Sequence, residues 1–80
     1  MVKNNNKHHL VTGGSGFIGS ALVKRLVKEG FYVRVFDNNI RGVESRLDEV
    51  SDKIDFIDGD IRDYKQVKMA CAGIDLVHHL

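Results

Sequence analysis

Residues 12–20 read Thr-Gly-Gly-Ser-Gly-Phe-Ile-Gly-Ser, the densest run of glycine in the chain. Two patterns overlap there: Gly-x-Gly-x-x-Gly at Gly14, Gly16 and Gly19, and Gly-x-x-Gly-x-x-Gly at Gly13, Gly16 and Gly19. The spacing suits a phosphate cradle. A first glycine permits a tight turn out of a strand. Gly16 lets a pyrophosphate come up against bare backbone, and Gly19 lets the next helix pack close to a sheet. The amides of Phe17 and Ile18 then stand at a helix N-terminus, where unpaired N–H groups and the helix dipole attract phosphate. The competing explanation is a plain strand-to-helix turn. The strand before the loop and the helix after it favour the phosphate site. No Gly-Lys-Ser/Thr follows, so this is not the lysine-bearing loop that grips a terminal phosphate.

A second chemical signal stands eighteen residues beyond Gly19, where Asp37 ends a β-favouring run. At that distance a carboxylate accepts hydrogen bonds from adenosine ribose hydroxyls, and it repels a 2′-phosphate, so the pattern favours NAD over NADP. Arg41 pulls the other way, because an arginine there could pair with a 2′-phosphate. Asp37 could instead be a turn or cap residue, a task open also to Asn38 and Asn39.

Other reactive types are read as structural. His8-His9 and His78-His79 fall on the first and fourth predicted strands. One pair begins its strand and the other ends its strand. At about 3.3 Å per residue that separates them, so no shared metal is expected. Cys71 lies on the inner face of a predicted helix, where packing is its expected role. With no second cysteine, no internal disulfide forms, which fits a reducing compartment.

The elements that must position these groups alternate in kind. Leu10-Val11-Thr12 is a short apolar strand. Phe17 to Glu29 is helical, with Ile18, Leu22 and Leu26 at i, i+4 and Ala21 beside them. Gly30 supplies its C-terminal stop. Tyr32 to Phe36 is a second strand, and Val43, Leu47 and Val50 mark a short charged helix. Ile54 to Ile57 is a third strand whose acidic residues suit an edge. Asp63 and Gln66 resemble a capping box, opening a helix that buries Val67, Ala70 and Cys71. Ile74 to Leu80 is a fourth strand. The order β-α-β-α-β-α-β predicts a Rossmann-type, doubly wound parallel sheet in the order 3-2-1-4.

With 80 residues, the chain amounts to one domain or part of one. We divide it into a polar tail, residues 1–7, and a dinucleotide-binding portion, residues 8–80. Twelve basic and eleven acidic residues leave a net charge of +1, which offers no electrostatic footprint for nucleic acid or an anionic membrane. No run approaches a membrane span, and the tail lacks the apolar core of a secretory signal. A cytoplasmic location is the expectation.

The four motifs together resemble the NAD-dependent epimerase/dehydratase family of the extended short-chain dehydrogenase/reductase superfamily, of the UDP-glucose 4-epimerase kind. Thr12 to Gly19 is similar to its Thr-Gly-Gly-x-Gly-Phe-Ile-Gly signature. Val35-Phe36-Asp37-Asn38, followed by Arg41-Gly42, resembles its second-strand ending. Gly59-Asp60-Ile61-Arg62-Asp63 looks like its Gly-Asp-x-x-Asp segment. Val77-His78-His79-Leu80 resembles the start of its Val-x-His-Leu-Ala-Ala motif, severed before the alanines.

The resemblance implies roles residue by residue. Phe17 and Ile18 would present amides to the pyrophosphate of NAD. Asp37 would hold the ribose, with Asn38 lining the same pocket. Asp60 would accept from the adenine amino group while the Ile61 backbone meets the ring, and Leu80 would touch the cofactor through its main chain. Tyr64 and Lys68 match the family's Tyr-x-x-x-Lys catalytic pair, with Ser51 upstream. They open the third helix rather than the one after the fifth strand, so no catalytic residue is assigned. The resemblance further implies a nucleotide-sugar substrate and a homodimer for the full-length enzyme. It implies as well that this chain is an N-terminal part, inactive alone. Two alternatives stay open: a reductase of the same superfamily acting on a steroid-like or flavonoid-like ketone or alcohol, and a dinucleotide-sensing module without catalysis.

Overall fold

The computed structural model describes residues 7–13, 16–38 and 46–80. Strands β1 (His8–Thr12), β2 (Tyr32–Asp37), β3 (Ile54–Asp58) and β4 (Leu76–His79) form one sheet in the order β3-β2-β1-β4. All three pairings are parallel. Helix α1 (Phe17–Lys28) follows β1, a 3-10 turn spans Asp48–Lys53, and helix α2 (Tyr64–Ala70) lies between β3 and β4. The expected doubly wound parallel sheet and its 3-2-1-4 order are both present.

Burial explains the strand order. β1 and β2 are the most buried strands, and they take the two central positions where both faces are covered. β3 keeps Asp55 and Asp58 exposed, as suits an edge. Residues alternate across the sheet. Val11, Val33 and Val35 meet Val23 and Leu26 of α1 on one face, whereas Leu10 and Phe36 meet Ala70 of α2 on the other.

Two sequence expectations need correction. The buried line of α1 is Gly19, Ser20, Val23 and Leu26, not Ile18, Leu22 and Leu26. Ile18 is 73% exposed and Ala21 is exposed, while Leu22 is half-buried. Gly19 is buried with Ser20, so the buried stripe is rotated by one residue from the expected one. In the predicted second helix Arg46 is helical, and a 3-10 turn over Asp48–Lys53 follows its cap Leu47, with Leu47 and Val50 both reaching the core. Val43 lies outside the described residues, as do Gly14, Asn39, Arg41, Gly42 and residues 1–6 of the polar tail.

The helix ends are closed by specific bonds. Gly30, at φ +90°, donates to Val27 O at 3.0 Å, and Phe31 N–H donates to Leu26 O at 3.1 Å. This paired closure satisfies carbonyls that α1 would otherwise leave open. Asp63 accepts from Lys65 N–H at 3.0 Å and from Gln66 N–H at 3.3 Å. The side chain of Gln66 then reaches Asp60 N–H at 2.7 Å, not Asp63, so the capping box is displaced onto the preceding loop. At the other end, Arg34 of β2 donates to Ala70 O at 2.7 Å and Ala72 O at 2.8 Å, while its Nε bonds Asp55 at 3.0 Å. That one guanidinium ties the end of α2 to the sheet.

Candidate dinucleotide site

The carboxyl ends of parallel strands are where the chain turns away from the sheet, and a cleft opens there. Thr12, Gly13, Phe36, Asp37, Asn38, Gly59, Ile61, His79 and Leu80 line it. Each stands at or just past the end of a strand.

Gly13 makes the first turn. Its φ of +73° suits glycine, and its N–H donates to Phe36 O at 3.1 Å, bending the loop over the end of β2. A side chain on Gly13 would stand 3.5 Å from Leu80 O, so the loop and the last residue of the cleft are neighbours. Gly16 is the N-cap of α1 and supplies no side-chain bond to the helix amides. The first acceptor that α1 uses is Gly16 O, which takes Ser20 N–H at 2.8 Å. The amides of Phe17, Ile18 and Gly19 precede that bond and have no intrahelical acceptor. No acidic residue lies in the first turn of α1 to compete with an anion. A phosphate fits this arrangement: bare backbone at Gly16, a positive φ at Gly13 and uncapped amides at the head of a twelve-residue helix.

Asp37 and Asn38 leave β2 on the wall of the cleft, and Asp37 O holds the next strand's exit by accepting Gly59 N–H at 3.2 Å. Gly59 has no room for a side chain. A Cβ there would lie 2.7 Å from Phe36 Cζ and 2.9 Å from Gln66 Oε1. The close approach presses Phe36 into the angle between β2 and the loop after β3, where its ring serves both the core and the cleft.

The structure brings Gly13, Asp37, Asn38, Ile61 and Leu80 together in the cleft, and it places Gly16, Phe17, Ile18 and Gly19 at the helix head beside it. Asp60 stands between Gly59 and Ile61 but turns its carboxylate to Arg62. One oxygen accepts from Arg62 N–H at 2.8 Å and Nε at 3.1 Å, and the other accepts from Nη2 at 2.8 Å. These bonds, the side-chain ones first, hold the Asp60 carboxyl at about 2. A carboxylate has further lone pairs, so this pairing leaves acceptor capacity for an adenine amino group.

Four cleft residues, Thr12, Phe36, Gly59 and His79, are not among those that the sequence singles out. Thr12 and Phe36 enter the sequence reading only as strand and motif residues, and Gly59 only as part of the Gly-Asp-x-x-Asp segment. His79 was dismissed with the other histidines, yet it lines the cleft and its Nδ1 lies 2.8 Å from Thr12 Oγ1. The available signal was position: residues at the last rungs of parallel strands face such a cleft.

Contrary to expectation, the two histidine pairs are not held apart by their strands. β1 and β4 are five and four residues long, with His9 opposite Leu76 and Thr12 opposite His79. His9 and His78 are therefore only two rungs apart, on the same face. Their rings lie 3° from parallel, with centroids 5.2 Å apart and His9 Nδ1 at 2.9 Å from His78 Nε2. This is an N–H···N bond between coplanar rings, one donating and one accepting. Burial, and then the nearby His78, lower the pKa of His9, against a smaller raising effect of Asp75. The Nε2 of His9 is buried without a partner. Among the described residues no group of three His, Cys, Asp or Glu side chains could hold a metal. None of the described helices is long and apolar enough to cross a membrane.

Residues 10–80 match the model of the 3-beta hydroxysteroid dehydrogenase/isomerase family. A 3-beta-hydroxysteroid dehydrogenase of Mycolicibacterium neoaurum is 44% identical over 70 residues, covering 88% of this chain and 18% of its own length. UDP-glucose 4-epimerase 3 of Oryza sativa subsp. japonica is 40% identical over 80 residues, covering 88% of this chain and 21% of its own. Among solved structures, the Bordetella bronchiseptica enzyme WbmF in complex with NAD+ and UDP aligns with a TM-score of 0.78 at 33% identity. That alignment covers 94% of this chain and 22% of WbmF. The chain thus spans about a fifth of the length of these relatives.

Proposed function

The chain belongs to the 3-beta hydroxysteroid dehydrogenase/isomerase family, and on that premise we propose that residues 8–80 are the N-terminal, NAD-binding part of a nucleotide-sugar epimerase or dehydratase. The observation that carries this reading is the cleft, in which Gly13, Asp37, Asn38, Ile61 and Leu80 converge beside the uncapped head of α1. Relatives that include a nucleotide-sugar epimerase, and a solved neighbour holding NAD+ and UDP, support it. In this reading the amides of Phe17 and Ile18 take the pyrophosphate. Asp37 and Asn38 take the adenosine ribose, and Asp60 with the Ile61 backbone takes the adenine. Leu80 meets the cofactor through its main chain.

When bound, NAD supplies a transient hydride acceptor; the residues of this segment bind and orient it and carry no proton transfer. A second reading, a dehydrogenase acting on a steroid-like alcohol, is favoured by the family model and by the Mycolicibacterium relative. The two share this segment and differ in the substrate that the full-length enzyme turns over.

Calorimetric titration of NAD and NADP against the wild type and Asp37→Ala tests the cofactor reading. NAD binds more tightly than NADP, and Asp37→Ala weakens NAD about tenfold, the equivalent of one charge-assisted hydrogen bond. Equal or tighter binding of NADP by the wild type refutes the assignment of Asp37. Incubating the full-length enzyme and NAD with UDP-glucose or with a 3β-hydroxysteroid separates the two substrate readings.

A further inference from the structure

We propose that His79 is a cofactor-binding side chain, its Nδ1 fixed by Thr12 and its Nε2 donating a hydrogen bond to an oxygen of the dinucleotide. This rests on the dinucleotide reading above and adds to it a residue that the glycine loop and Asp37 do not supply.

Thr12 and His79 are direct partners in the β1–β4 ladder, so their side chains leave the same face side by side. Both line the cleft. Thr12 is buried and cannot turn to solvent, whereas His79 is exposed into the cleft. The 2.8 Å contact between Thr12 Oγ1 and His79 Nδ1 therefore anchors a ring that would otherwise rotate.

The same contact accommodates the tautomer in which Nε2 carries the proton. The Thr12 hydroxyl has two acceptors within reach, His79 Nδ1 at 2.8 Å and His78 O at 3.4 Å. The shorter contact admits donation in either direction, and binding as proposed takes the arrangement in which the hydroxyl donates to Nδ1. A neutral imidazole accepting at Nδ1 carries its proton on Nε2. Should the ring gain a second proton, Nδ1 turns donor toward Thr12 and Nε2–H remains a donor. In both states one N–H points away from Thr12, and no described residue accepts from it. Leu80 and Gly13, the neighbours of His79 and Thr12 in sequence, close the same corner, with Leu80 O at 3.5 Å from where a Gly13 side chain would begin. A donor at that corner meets the phosphate–ribose stretch of the dinucleotide, where the acceptors are oxygens. The His9–His78 pair has no such role: it lies on the opposite face, outside the cleft, with His9 buried.

Two variants separate the ring nitrogens. His79→Asn keeps an amide atom near the Nδ1 position for Thr12 and removes Nε2. His79→Gln puts an amide nitrogen near the Nε2 position and gives up the Thr12 bond. NAD, ADP-ribose, AMP and adenosine are titrated against the full chain of the wild type and both variants, with Tm recorded for each. His79→Asn weakens NAD about tenfold with Tm retained, and His79→Gln keeps NAD within about threefold of wild type. Loss already seen with adenosine assigns the acceptor to the ribose, and loss first seen with AMP or ADP-ribose assigns it to a phosphate. Wild-type NAD affinity in His79→Asn overturns the proposal and leaves the dinucleotide reading standing. So does a loss of affinity in both variants that follows a matching loss of Tm, since the ring would then be structural. A wild type that binds none of the four ligands removes the dinucleotide reading itself, and this proposal with it.

Discussion

The two faces of the sheet are built differently. On the α1 face, seven buried apolar residues, Val11, Val23, Leu26, Val33, Val35, Leu47 and Val50, share the load among small contacts. On the α2 face the buried cluster is Leu10, Phe36 and Ala70, and polar bonds finish the job: Arg34 on the end of α2, Gln66 on the loop after β3, Thr12 on β4. The cleft at the strand ends borders the thinner face, and Phe36 is both its wall and the largest side chain of that core. A face that must stay open to a ligand cannot be sealed by interdigitating apolar groups, so it depends on one large ring and on directional bonds.

This contrast is open to breaking at Phe36. Phe36→Ala removes the main ring of the α2 face and should cost about 3–5 kcal/mol. Val33→Ala, on the face with seven members, should cost less than about 2 kcal/mol, the value of the methylene groups lost. Urea unfolding of both variants measures this, and equal costs would show that the two faces carry the load alike. Gly59→Ala probes the same ring from the loop. Its Cβ would crowd a buried phenyl group that has nowhere to go, and overpacking of this kind costs about 1–3 kcal/mol. A shift in midpoint below the error of measurement would mean that Phe36 moves freely, and that the α2 face is looser than described.

The smallest effect belongs to the polar intrusion on the α1 face. The pKa of His9 is lowered, first by burial, so the native state prefers the neutral ring. Its stabilising contribution is therefore complete above the ordinary value of 6.5 and is lost as pH falls below that value toward the folded pKa. Thermal unfolding followed through this window should show stability declining as the solution is acidified, with His9→Leu flattening the decline. An unchanged slope in His9→Leu would place the proton uptake elsewhere.

Much of this architecture was legible in the residues. Alternating strand and helix patterns led to the 3-2-1-4 sheet, because covering both faces of β1 and β2 requires parallel strands with crossovers. The glycine loop and Asp37 were legible for a related reason, since backbone conformation and a carboxylate at a strand end are local properties. The rotated stripe of α1 was not. Ile18 and Leu22 satisfy helical periodicity as well as Gly19 and Val23 do, and only the docking of α1 on the sheet decides between them. The spacing of Leu47 and Val50 does not tell an α-helix from a 3-10 turn, and over Asp48–Lys53 the chain takes the 3-10 form.

The histidines show where the division falls. By itself the sequence determined that His8-His9 opens one strand and His78-His79 closes another. Which of them meet depends on strand length and register, and these are settled when the hydrophobic faces of β1 and β4 align in the sheet. A β4 of four residues brings His78 against His9 and His79 against Thr12. A shift of one residue would exchange the faces, burying His79 and turning His78 toward the cleft. Residue types and local turns are written along the chain, whereas the pairing of side chains that are 67 and 69 positions apart is decided only by packing.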